Sequence, residues 1–182
     1  MIKVTLFLSM LVALCGAQTF VSAQEASVKK YGAFSNVRTS GEHASGYSLD
    51  LWTHGKTMIG VIRIHRGLAG DPPAGLLENV AYNSRTHKLS FTAKASIGSF
   101  SDKDHDQVPS QDALSFNGTV TTRAVNGSLS TKNLLCNKGC AERITITLRK
   151  SAEWSKFQKS FPSLAAWQDD IKTIMDVYGP KW

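Results

Sequence analysis

Three aspartates stand at alternate positions, Asp102, Asp104 and Asp106 in SDKDHDQVPSQD, with His105 between them and Asp112 beyond. A hard cation takes several oxygen ligands from a bending loop, and Asp-x-Asp-x-Asp offers them. A calcium loop also needs a glycine where Gln107 stands and a bidentate glutamate where Ala113 stands. The stretch therefore reads first as a solvated acidic loop, with a metal role for Asp102, Asp104 and Asp106 as the lesser expectation. The stretch CNKGC brings Cys136 and Cys140 close in sequence. In an exported chain such a pair predicts a disulfide. A redox pair would want Cys-x-x-Cys spacing inside a redox fold pattern.

The five histidines show no tight ligand spacing such as His-x-x-x-His. His54 and His65 sit on or beside one predicted hairpin, and His43 and His87 at other strand ends. The chain carries no Gly-x-Ser-x-Gly, no phosphate loop and no close carboxylate pair arranged for acid–base work. No nucleophile or base is marked and no cofactor is implied, so an enzyme ranks behind a binding or interaction protein.

The N-terminus speaks to compartment. Lys3 gives a short positive region, Val4 to Leu14 is apolar apart from Thr5 and Ser9, and Val21-Ser22-Ala23 ends in small residues. This is the pattern of a secretory signal peptide over residues 1–23, too short to span a bilayer. Cys15 is expected to leave with it, because Leu14 is not the small residue that precedes a lipid-modified cysteine. Residues 24–182 then read as one β-rich domain, with no transmembrane segment, in the periplasm or outside the cell. The chain has 182 residues, 21 Lys and Arg against 14 Asp and Glu, and a hydrophobic content of 42%. Such a composition is globular rather than disordered. A basic exported protein meets anionic partners readily, but the bases are scattered in sequence and ordinary solubility charge explains them. No aromatic–basic interleave resembles a nucleic-acid surface.

The elements follow from hydrophobic period. In GYSLDLWTHGKTMIGVIRIHRGLAG, Tyr47, Leu49 and Leu51 alternate, as do Met58, Gly60, Ile62 and Ile64, around a turn at His54-Gly55-Lys56. Alternation of this kind around a glycine turn predicts a hairpin. LLENVAY predicts a third strand, and Leu89, Phe91, Ala93, Ala95 and Ile97 a fourth. Asn-Gly is the strongest short hairpin signal and occurs at 117 and 126. Yet Leu114, Phe116, Gly118 and Val120 alternate without a break, and so do Val125, Gly127 and Leu129. Each glycine is therefore placed inside a strand, facing inward, with Thr121 to Ala124 as the turn. Ile144, Ile146 and Leu148 close the series, and Phe34 to Arg38 offers one strand more. Leu164, Trp167, Ile171, Ile174, Met175 and Tyr178 then fall on one face of a helix over about 160–179, with Gly179-Pro180 as its stop.

The expected fold is mainly β: an antiparallel meander of about seven to eight strands, closing as a barrel or packing as a sandwich, with one C-terminal amphipathic helix packed on it. In topology alone this resembles the lipocalin or calycin layout. The Gly-x-Trp signature expected near the first lipocalin strand is absent, and no residue roles carry over. Two functions compete. A closed sheet of this size can hold a small apolar or amphipathic ligand, and inward Gly60, Ala93, Ala95, Gly118 and Gly127, with Trp52 nearby, would leave it room. Alternatively the protein engages an envelope protein, as an inhibitor or immunity factor does, through strand-end loops at 66–75 and 99–112.

Overall fold

A computed structural model describes residues 26–182 apart from 69, 71, 102, 104, 105 and 137–139. The expected signal peptide, and Asp102 and Asp104 of the aspartate stretch, lie outside the described residues. The chain forms β1 (Val28–Ser35), β2 (Arg38–Ser40), β3 (His43–His54), β4 (Thr57–Leu68), β5 (Ala74–Leu76), β6 (Glu78–Asn83), β7 (Lys88–Ala95), β8 (Ser99–Phe100), β9 (Val108–Pro109), β10 (Asp112–Val120), β11 (Ala124–Asn133), β12 (Ala141–Lys150), α1 (Ala152–Phe157) and α2 (Leu164–Tyr178).

The expected first hairpin is β3–β4, paired from His43↔Leu68 to His54↔Thr57 around Gly55, whose positive φ of 60° suits a residue without Cβ. The main sheet has ten strands in the order β5-β4-β3-β1-β12-β11-β10-β7-β6, with β2 paired to β3 beside that path. This exceeds the seven to eight expected, for two local reasons. The third expected strand is broken into β5 and β6, and β2 is a short arm on β3.

The break helps to close the sheet. β5 pairs with β4, the Leu77 amide donates to the Gly60 carbonyl at 3.0 Å, and β6 pairs with β7. One bent segment thus spans both edges. β12 joins β1 through Phe34↔Lys150 and Ser35↔Arg149. The result is a nearly closed antiparallel barrel whose staves follow chain order, which leaves few free strand edges.

Its interior holds the alternating apolar residues, among them Leu49, Leu51, Ile62, Leu89, Leu114, Leu129 and Leu148. Gly118 pairs with Gly127 inside the β10–β11 hairpin, and the turn begins at Thr121, whose amide donates to Ala124 at 2.9 Å. The uninterrupted alternation therefore outweighed the Asn-Gly turn signal.

The two ends of the barrel differ. β3–β4, β6–β7 and β10–β11 are joined by short turns at one end. At the other, longer connections join β1 to β3, β4 to β5, β7 to β10 and β11 to β12. We call these the tight-turn rim and the long-loop rim.

After β12 the chain returns over the outer face. The six-residue α1, capped by Ser151, is too short for its period to be read from sequence. Val28 and Phe161 exchange both backbone bonds, at 2.9 and 2.8 Å. α2 begins at Ser163, whose hydroxyl accepts from the Ala166 amide at 3.1 Å. Trp167 and Ile171 are buried against Trp52, Val61 and Ala74, with Ile174 packed beside them. The indole rings of Trp52 and Trp167 meet edge to face at 5.9 Å. No helix among the described residues is long and apolar enough to cross a membrane.

Candidate functional site

Inward-facing polar residues appear at the long-loop rim, where the apolar filling ends. Arg66 continues the inward series of Ile62 and Ile64 on β4. Its guanidinium donates to Glu142 of β12 at 2.9 Å and to the Tyr47 hydroxyl at 3.3 Å. β4 and β12 are separated in the sheet by β3 and β1, so this bridge spans the barrel mouth. Arg66 and Glu142 each leave about half their side chain exposed, where water limits such a pair to about 0–1 kcal/mol. The bond to Glu142 is the first cause holding the Arg66 guanidinium above its ordinary value, and the bond to Tyr47 the second.

Opposite the bridge, buried Asp112 ties down the start of the β7–β10 connection. Its carboxylate accepts from the Ile97 amide at 2.9 Å and from the Ser110 hydroxyl. Gly98 and Ser110 add a reciprocal pair, with Gly98 N donating to Ser110 Oγ at 3.0 Å and Ser110 N to Gly98 O at 2.8 Å. Between these groups lies a depression of about 230 Å³, lined by Arg66, Ile97, Asp112, Thr131, Asn133 and Glu142 among others. Cys140 lies on its lip, disulfide-bonded to Cys136 with Cα atoms 5.9 Å apart, inside the range that a relaxed bridge allows. Outside the same rim, the end of α2 and the β8–β9 hairpin frame a second depression of about 510 Å³. The rim also exposes Leu68 and Leu134, at 69% and 47%.

The residues expected to line a ligand cavity divide. Gly60, Ala93, Ala95, Gly118 and Gly127 face inward, whereas Trp52 faces outward beneath α2, its indole N–H donating to the Lys159 carbonyl at 2.8 Å. The structure does not bring Trp52 together with the others. Beside the glycines the space is taken. A Cβ on Gly118 would lie 2.1 Å from the Asn126 carbonyl oxygen, and one on either Gly118 or Gly127 would lie 2.7 Å from the Phe116 ring. Phe116 stacks on Phe91 with centroids 5.0 Å apart. On Gly60 a Cβ would meet the Asp50 carbonyl oxygen at 2.3 Å. Of the three alternating aspartates only Asp106 is described. Among the described residues no group of three or more His, Cys, Asp and Glu is placed to hold a metal ion.

A second polar group, which sequence reading missed, lies on the outer face of β3 and β4. Ser48 Oγ and His65 Nε2 are 3.1 Å apart, Asp50 binds Arg63, and Trp154 of α1 packs on the His65 ring with centroids 6.3 Å apart. A serine beside a histidine suggests nucleophilic chemistry. Here the Asp50 carboxylate is bonded to Arg63, and Ser48 and His65 are only 2% and 4% exposed. A substrate has no approach to them. Burial first, and Arg63 second, hold the imidazole below its ordinary pKa, so the group serves as a neutral hydrogen-bonded layer. Only their place among alternating apolar residues hinted at this burial, because strand polar residues are otherwise read as facing water.

No family model, curated protein or solved structure matches the chain.

Proposed function

We propose that this is an exported binding protein, periplasmic or secreted, that engages an envelope protein through its long-loop rim and uses the barrel as a rigid scaffold. One observation carries the reading. The longer connections gather at one end, beside exposed Leu68 and Leu134, while Phe116 and its neighbours occupy the interior near the inward glycines. Loops held by a rigid sheet are where recognition residues concentrate, and the Asp112 network and the disulfide hold two of these connections in shape. Leu68 and Leu134 would supply apolar contact area and the Arg66–Glu142 bridge a charged centre.

The test is position-specific photo-crosslinking in the exporting cell. A photoreactive residue at exposed Thr39 or Lys132, on the long-loop rim, is expected to yield a protein adduct of one discrete mass. The same residue at exposed Thr57 or Thr121, on the tight-turn rim, is expected to yield none of that mass. Equal labelling from both rims, or no adduct from Thr39 and Lys132, would overturn the proposal.

A further inference from the structure

The bases scattered in sequence are gathered by the fold. Lys29 of β1, Lys56 of the β3–β4 turn, Arg85 and Lys88 around the β6–β7 turn, Arg123 of the β10–β11 turn and Lys150 at the end of β12 all lie at the tight-turn rim, and all are exposed. Residues 28–30, 54–57, 83–88 and 120–124, which build that rim, contain no Asp or Glu. The ion pairs at Arg63, Arg66, Lys159 and Lys172 involve none of these six cations. The long-loop rim, by contrast, mixes Arg38, Lys132 and Arg143 with Glu42, Asp106 and Glu142. Like charges on one face repel each other and raise the local potential for anions.

The rim is also concave. Thr53, Gly55, Lys56, Tyr82, Asn83, Ser84 and Arg85 enclose an open cup of about 680 Å³. Tyr31, in edge contact with Tyr82 at 6.2 Å, packs against the core beneath it. The lining therefore offers two cations, hydroxyl and amide groups, and one tyrosine ring. That set matches a chain bearing both charges and hydroxyls. A bilayer surface fits less well. The large apolar side chains exposed among the described residues are Leu68, Leu134, Phe157 and Val177, and none belongs to these turns.

We propose that the tight-turn rim is a binding site for an anionic polysaccharide, whose acidic groups meet the ring of lysines and arginines while its hydroxyls meet Thr53, Asn83 and Ser84. The site is separate from the protein-partner rim, and neither reading depends on the other. The contacts are surface charges, so binding weakens as salt screens them over about 8–10 Å.

The test measures binding of polygalacturonate to the full chain by titration calorimetry at low salt, with neutral dextran as control. The parent is expected to bind the first and not the second. The pair Lys56→Glu with Arg85→Glu is expected to weaken binding on the order of tenfold or more by reversing two rim charges. The pair Arg38→Glu with Lys132→Glu makes the same change in net charge at the other rim. It is expected to stay within about twofold, because those sites lie beyond a screening length. Equal weakening by both pairs would reduce the effect to net charge and overturn the proposal. So would an absence of polygalacturonate binding. Binding only to vesicles containing phosphatidylglycerol would overturn it in favour of a membrane surface. The altered residues are exposed, and circular dichroism checks that each variant is folded.

Discussion

Ser48, Asp50, Arg63 and His65 show how a side chain's meaning depends on what covers it. In sequence they are the outward half of two amphipathic strands. In the structure Trp154 and the chain after it roof them over, and each finds a partner within the group or in α1. Buried polar groups are tolerated when so satisfied. His65 gives this layer a pH signature. Its folded pKa lies below 6.5, so the unfolded chain takes up its proton first as pH falls through that value. The unfolded state then holds more protons, and stability is full above pH 6.5 and declines below it, by at most about 1.4 kcal/mol per pH unit from this group. Urea unfolding at steps from pH 7.5 to 5 is expected to show that decline, and His65→Gln to make it shallower. Identical slopes in parent and variant would mean that His65 titrates freely in the folded state.

The elements were legible where period and length were both sufficient. The β3–β4 hairpin, the inward placement of Gly118 and Gly127, and the apolar stripe of α2 all follow from alternation or helical spacing along the chain, and the structure has them. Others were not legible: the two- and three-residue strands β2, β8 and β9 are too short to show a period, and β1 runs over Val28–Ser35 rather than Phe34 to Arg38. α1 has six residues and none is buried, so no stripe announces it. The division of β5 from β6 depends on Leu77 reaching back to Gly60, a tertiary contact with no local signal. The docking of α2 carries a plain prediction. Trp167 is 4% exposed and contacts Trp52. Trp167→Ala is expected to lower the unfolding free energy by about 3–5 kcal/mol, the usual result of truncating a large buried aromatic residue. Denaturant titration checks it, and a loss below about 0.5 kcal/mol, the range of surface substitutions, would place the stripe in water.

At the scale of the molecule, the sequence reading reached the barrel and its helix but not the arrangement of its working surfaces. Which turns share a rim depends on strand direction around the sheet. The basic tight-turn rim and the bridged long-loop rim exist only once β12 meets β1 and β6 meets β7. Taken strand by strand, the inward small residues leave room for a small ligand. Their neighbours, Phe91 and Phe116 above all, are large residues that a strand-by-strand reading cannot set against glycines on adjacent strands. A scaffold barrel and a ligand-holding barrel therefore differ in one comparison, melting temperature and retained small molecule measured together on the parent and on Gly118→Leu. In a filled interior the added side chain meets the Asn126 carbonyl and the Phe116 ring. The expected result is a clear fall in melting temperature, equivalent to about 3 kcal/mol at the upper end for overpacking, with no stoichiometric small molecule extracted from the parent. A parent that releases an apolar or amphipathic molecule, and a variant that keeps its melting temperature but loses that molecule, would contradict the scaffold reading.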